Sequence, residues 1–242
     1  MGRLAYSVAL LFLIRSSACF AVLPLEVYRS VMEDPELVKA DDGFLPKGMD
    51  GTRPNQPIPS VSLYNHAMGS ETGLARYDSG YVSTTSSLRL AHIWSNNQFP
   101  GTSYIYTIQP TPNFIDVNAS LGRYSPHPGE EEFAALGPIR WAQIIGWRRV
   151  HFNVMGEFIR NRDFNRNLYQ GMHTTESVPE LAGFPRSHPA WGQPPWRYYT
   201  NCDDSDLKKR ASIICIPLKS NRLVALQYSL RYDPTIVFII TK

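Results

Sequence analysis

Cysteine is scarce in these 242 residues, three in all, which excludes a small disulfide-stapled scaffold and the Cys and His spacing of a zinc site. Charge of one sign is missing as well. The 24 Lys and Arg stand against 21 Asp and Glu, a formal net charge of +3, so there is no footprint for nucleic acid. No internal repeat and no low-complexity tract occurs. Charged residues are only 19% of the chain against 43% hydrophobic and 12% aromatic, excluding a disordered acidic chain, a collagen-like repeat and a coiled coil. What is plentiful is proline and glycine, 19 and 16 residues. They imply many turns and short elements, and with this length one α+β domain, or one domain plus a tail.

The first 21 residues carry a positive Arg3, an apolar run from Leu4 to Ile14 and a small Ala21, the pattern of a secretory signal peptide. A run of about 11 residues is too short to cross about 30 Å of hydrocarbon as a helix. A buried strand, or lipidation at Cys19, are the competing readings; Ser16 stands where a lipidated leader wants a large aliphatic residue. Removal of the leader leaves Cys202 and Cys215, which make one bridge in an oxidising compartment. Residues 203–214 between them are polar and charged, with Lys208, Lys209 and Arg210 in a row. They read as an exposed loop open to a trypsin-like protease, or as an ordinary stabilised surface loop. Residues 216–242 turn apolar, too apolar to be left in water, and fit a last strand of the domain or a segment buried in another protein.

In between, strands are predicted over Val22–Arg29, Tyr81–Thr85, Tyr104–Ile108, Phe114–Val117 and Ala142–Trp147. Short helices are predicted at Asp34–Ala40 and, with a serine cap, at Ser86–Trp94. Gly48–Pro59 reads as loop, and Ser62–Ala67 has no clear period. Strands without regular crossover helices argue against a doubly wound sheet.

The segment from Ser125 to Gly137 holds Glu130, Glu131 and Glu132 ahead of Phe-Ala-Ala-Leu. Acidic residues after Pro-Gly suit the first turn of a helix, where they complement its dipole. In an extended segment, Glu130 and Glu132 instead share one side and Glu131 points away. Two carboxylates on one side repel, so one takes a raised pKa suited to proton transfer while the other stays ionised beside a developing cation.

Tyr124 to Phe152 resembles the active-site region of the catalytic A subunits of cholera toxin and heat-labile enterotoxin. The similarity continues, in order, to Leu25–Ser30, Leu63–Gly69, Gly80–His92 and Leu181–Trp191, covering about residues 25 to 200. It implies an NAD-dependent mono-ADP-ribosyltransferase with a mixed α+β domain of two packed sheets around an NAD cleft. Arg29 is then expected to pair with the NAD diphosphate through its guanidinium fork. Ser83, Thr84 and Thr85 brace the nicotinamide and ribose pocket, and Thr85 stands where the family has serine. Glu132 stabilises the transition state as nicotinamide leaves, and Glu130 assists an acceptor arginine, whose guanidinium is a poor nucleophile while protonated. His66 and His92 match family positions near the pocket; each also reads as an ordinary core histidine. No metal is implied.

The same resemblance divides the chain into a signal peptide (1–21), a catalytic domain (22–201), a bridged, protease-sensitive loop (202–215) and a tail (216–242) that threads a pentamer of B subunits. It implies that the substrate is a host heterotrimeric G-protein α subunit, that a host small GTPase is the activator, and that the protein is secreted. Two departures stand out. No Asp follows shortly after Arg29, where the residues are Ser-Val-Met-Glu, and the chain ends Ile-Ile-Thr-Lys242 without a Lys-Asp-Glu-Leu-type retrieval signal. Pertussis-like modification of another side chain, and a catalytically silent secreted binding protein, are the alternatives.

Overall fold

A computed structural model of the chain describes residues 23–52, 55–69, 76–175, 177–202 and 215–232. The expected signal peptide, the Cys19 alternative, the basic run Lys208, Lys209 and Arg210, and the β-branched segment 235–240 lie outside the described residues. In chain order the elements are β1 (Val27–Val31), α1 (Pro35–Ala40), β2 (Gly43–Phe44), α2 (Leu63–Met68), β3 (Tyr81–Thr85), α3 (Leu88–Gln98), β4 (Thr102–Ile108) and β5 (Phe114–Asp116). They continue with α4 (Val117–Leu121), β6 (Glu132–Leu136), β7 (Ile139–Arg140), β8 (Ile144–His151), β9 (Val154–Arg160), α5 (Arg166–Tyr169), β10 (Thr200–Cys202), β11 (Cys215–Pro217) and α6 (Asn221–Tyr232).

Seven strands form one sheet in the order β5-β6-β3-β1-β4-β8-β9, every neighbouring pair antiparallel. Strand alternation divides its side chains between two main cores, with a third, smaller one formed by Ile105 and Val150 under Ala91 of α3. Tyr81, Ala134, Leu136 and Ile115 face one, completed by Leu63 of α2, Leu121 of α4 and the Trp191 and Trp196 region. Val82, Phe133, Ala135 and Phe114 face the other, with Val27, Tyr106, Ile108 and Ile144. The sheet is nearly parted in the middle. The β1–β3 ladder closes at a single pair, Tyr28 opposite Thr85, whereas β1 pairs with β4 along its whole length. The two packed sheets expected around a cleft are thus the two halves of one sheet, splayed between β1 and β3.

Local chemistry sets the element ends. Asp34 caps α1 by accepting from the Glu36 and Leu37 N–H groups, and Ser87 caps α3 by accepting from Leu90 N–H. Several sequence expectations shift. The first strand is Val27–Val31, because pairing with β4 sets its register. Val117 begins α4, since Asp116 accepts from Ala119 N–H at 2.8 Å and turns the chain into a helix. Trp141–Gln143 form a 3-10 turn ahead of β8, held by Gln143 accepting from Arg140 N–H. Part of the apolar C-terminal segment is helical: α6 buries Val224 and Ala225 in the first core, and the Tyr228 hydroxyl donates to Pro112 O. Cys202 and Cys215 are bonded, facing each other across the β10–β11 pair.

Candidate active site

Helix α2 is capped by Ser62, whose hydroxyl accepts from Asn65 N–H at 3.0 Å and donates to Gly183 O at 2.8 Å. This double tie aims His66, one turn in and 5% exposed, at the end of β6. His66 Nε2 lies 2.9 Å from Glu132 Oε1 and 3.2 Å from Ser83 Oγ. Its Nδ1 lies 2.8 Å from Ser79 Oγ, and the Tyr81 ring packs 5.1 Å from the imidazole. Glu132 opens β6 opposite Thr85 and is 7% exposed. Burial pushes its carboxyl pKa up, but the charge and hydrogen bond of His66, the Ser83 hydroxyl and the charge of His127 outweigh burial and hold it below the ordinary range.

Glu130 and Glu132 do not lie in one extended segment. Pro128–Glu130 make a 3-10 turn and Glu131 takes a left-handed conformation, φ 48° and ψ 44°, before the strand begins. The kink sends Glu131 to Ser86, whose hydroxyl donates to its carboxylate at 3.2 Å and whose N–H donates to its carbonyl. The two neighbouring glutamates still sense each other. Burial, then the Glu132 charge, raise the Glu130 pKa, with His127 and His66 opposing. The site thus holds one carboxylate below its ordinary pKa and one above.

Arg29 bridges the split in the sheet. Its Nη1 donates to Ser83 O at 2.8 Å across the gap, and its guanidinium lies over the Phe44 ring at 5.2 Å from the centroid. Its Nε is buried and has no hydrogen-bond partner among the described residues. Burial lowers its pKa against the charges of Glu33 and Glu132. A cavity of about 250 Å³ opens here, lined among others by Arg29, Glu33, Phe44, Lys47 and Ser83. Phe44 reaches it because Gly43, at φ +115°, lets β2 lie against β7; a Cβ there would stand 2.0 Å from Ile139 O.

The remaining expected residues divide. Thr84 and Thr85 are buried with their hydroxyls used internally, Thr84 donating to Phe133 O and Thr85 accepting from Ser87 N–H. They lock β3 to β6 and to the start of α3. His92 is not brought to the cluster: its Nε2 reaches Asn153 O at 3.2 Å, at the β8–β9 hairpin. Two residues escaped the sequence reading. Ser79 was legible only as the residue before a Gly80 turn, and Glu33 only as the acid four places after Arg29; the fold brings each to the site.

An antiparallel sheet nearly parted in its middle, with a buried His-Glu pair beside the split, defines the enterotoxin class of ADP-ribosyltransferase toxins. Residues 6–230 match the heat-labile enterotoxin alpha chain family, and the chain belongs to that family. It is 42% identical over 185 residues to the heat-labile enterotoxin IIB A chain of Escherichia coli, covering 74% of this chain and 70% of that one. It is 41% identical over 179 residues to the A subunit of the Vibrio cholerae cholera enterotoxin, covering 72% and 69%. An NAD(+)--arginine ADP-ribosyltransferase of Vibrio cholerae, Chelt, is 43% identical over 194 residues, 74% of this chain and 32% of that one. A solved heat-labile enterotoxin of E. coli superposes with a TM-score of 0.62 at 40% identity, covering 71% and 96%.

Proposed function

We propose that this chain is the catalytic A subunit of a secreted toxin, transferring ADP-ribose from NAD to an arginine of a host protein. The observation that carries the reading is the buried His66–Glu132 pair, joined through Ser83 to an arginine whose Nε lacks an acceptor. NAD supplies the ADP-ribosyl group. The cavity beside Arg29 suits it, because an enclosed guanidinium short of acceptors fits a diphosphate. Glu132 presents a fixed negative charge in an enclosed site, where it is worth more than in water, to the positive charge that develops as a glycosidic bond loosens. Glu130, its pKa raised, takes a proton from the incoming guanidinium.

Around this chemistry we place the rest of the molecule. Residues 1–21 direct export, 22–201 form the enzyme, 202–215 are the bridged loop cut near Lys208, Lys209 and Arg210, and 216–242 link to a B-subunit pentamer. The substrate is a host heterotrimeric G-protein α subunit, with a host small GTPase as activator.

The experiment is transfer of labelled ADP-ribose to host-cell membranes by nicked, reduced protein, beside a Glu132→Gln control. Label that vanishes in the control and maps to an arginine supports the reading. Label on a cysteine overturns the arginine assignment, and full activity in the control overturns the role of Glu132.

A further inference from the structure

One buried polar group at the site has no task in the reaction above: the hydroxyl of Ser79. Ser79 lies two residues ahead of β3 and is 2% exposed. Its backbone is pinned. The N–H donates to Arg76 O at 3.0 Å, the carbonyl accepts from Gly48 N–H at 2.7 Å, and the residue pairs with Ser60 in an isolated bridge. The flanking chains pass so close that a Cβ at Gly48 would stand 2.7 Å from Ser79 O, and one at Gly80 2.9 Å from Ser60 O. The hydroxyl oxygen accepts from Tyr81 N–H at 3.2 Å. Its hydrogen has two possible acceptors, His66 Nδ1 at 2.8 Å and Tyr81 O at 3.4 Å, and the shorter contact is to the imidazole.

If Nδ1 accepts, the neutral ring carries its hydrogen on Nε2, the nitrogen 2.9 Å from Glu132 Oε1. When the ring takes a second proton, the same hydroxyl turns, accepts from Nδ1–H and gives its own hydrogen to Tyr81 O. A hydroxyl is both donor and acceptor, so Nε2–H stays aimed at Glu132 in either charge state. A carboxylate at this place only accepts, and a methyl group does neither. The other groups facing the ring are Glu132 and Glu130 from the β6 side and, from β3, the Tyr81 ring and the Ser83 hydroxyl, which can accept from Nε2–H beside Glu132. His127 and Arg29 act on it through Glu132, leaving Ser79 as the neutral partner behind Nδ1.

We infer that Ser79 is a positioning residue for the transfer reaction: through His66 it decides which ring nitrogen faces Glu132, and it holds that contact constant as pH changes. The inference rests on the assignment of Glu132 above.

Three measurements on the full chain test it. In Ser79→Ala, kcat for ADP-ribosyl transfer falls about tenfold while the KM for NAD stays within about twofold, because Nδ1 is left buried without a partner and the ring spreads over both tautomers. In Ser79→Asp the carboxylate only accepts, so it holds the hydrogen on Nδ1 and leaves Nε2 of the neutral ring bare toward Glu132; kcat of this variant falls toward higher pH, a dependence that the serine hydroxyl removes in the wild type. Nitrogen-15 NMR of the wild-type protein shows neutral His66 with its hydrogen on Nε2, a readout that needs no variant to fold. The inference is overturned by a neutral His66 protonated on Nδ1, by a folded Ser79→Ala with wild-type kcat, or by a loss that only tracks the folded fraction with the pH profile unmoved. Glu132→Gln in the same assay separates the two levels. If it remains active the site assignment itself fails; if it is inactive while Ser79→Ala is unaffected, only the role of Ser79 falls.

Discussion

Glu130 and Glu132 show how two like residues, two positions apart, are driven in opposite directions by their surroundings. The folded-state pKa of Glu132 lies below its ordinary value of 4.5, so its ionised form stabilises the fold above that value, and the contribution is lost as pH falls through the folded pKa. Glu132→Gln is therefore expected to flatten the acid-unfolding curve below about pH 4.5, measured by circular dichroism against pH. Glu130 has the opposite sign. Its pKa is raised, so the ionised form costs stability above the folded pKa and the cost disappears on acidification. Glu130→Gln should raise the melting temperature at neutral pH by about 1–2 °C, with the gain absent at pH 4. Arg29→Lys keeps the charge but loses the fork that spans to Ser83 O and still leaves Nε free. We expect NAD affinity to drop at least about tenfold by calorimetry, with the melting temperature changed by no more than about 2 °C.

At the scale of elements, close backbone packing creates positions where the smallest change is severe. Gly146 in β8 has no room for a side chain: a Cβ would stand 2.3 Å from Ile159 O and 2.5 Å from the Phe158 ring. Gly146→Ala should push β9 off the sheet edge and cost about 3 kcal/mol in urea unfolding. Tyr228 of α6 is a milder case, its hydroxyl donating to Pro112 O and lying 2.7 Å from Thr175 Oγ1. Tyr228→Phe should cost about 1 kcal/mol in the same measurement. Elements set by local chemistry were legible in the sequence. The Asp34 and Ser87 caps and the β-branched run of β3 depend on neighbours in the chain, and they fall where composition puts them. Elements set from a distance were not. The start of β1 depends on β4, the helical state of Leu63–Met68 is tied by Ser62 to Gly183, and the direction of Glu130 depends on the left-handed turn at Glu131. In the site, the motif residues Arg29, Ser83 and Glu132 could be named in advance, and His66 with them. Ser79 could not, because nothing in an Asp-Ser-Gly turn says that a histidine from another helix will rest on its hydroxyl.

On the scale of the whole molecule, one covalent link ties the C-terminal helix to the rest in a second way. Cys202–Cys215 closes the chain around residues 203–214, and reduction of the intact chain is expected to cost about 3 kcal/mol of stability, read as a lower melting temperature with reductant than without. The packing of α6 gives that bond a further meaning. Val224 and Ala225 are set into the same core as Leu63, Tyr81 and Trp191, so the helix helps complete the enzyme it follows. While the chain or the disulfide is whole, that contact is intramolecular and the helix meets its seat at an effective concentration in the millimolar range. Cut the chain between the two cysteines and break the bridge, and the same contact becomes an equilibrium between two molecules. Its occupancy then falls on dilution, so concentration alone, with no change of shape in either piece, sets whether the two separate.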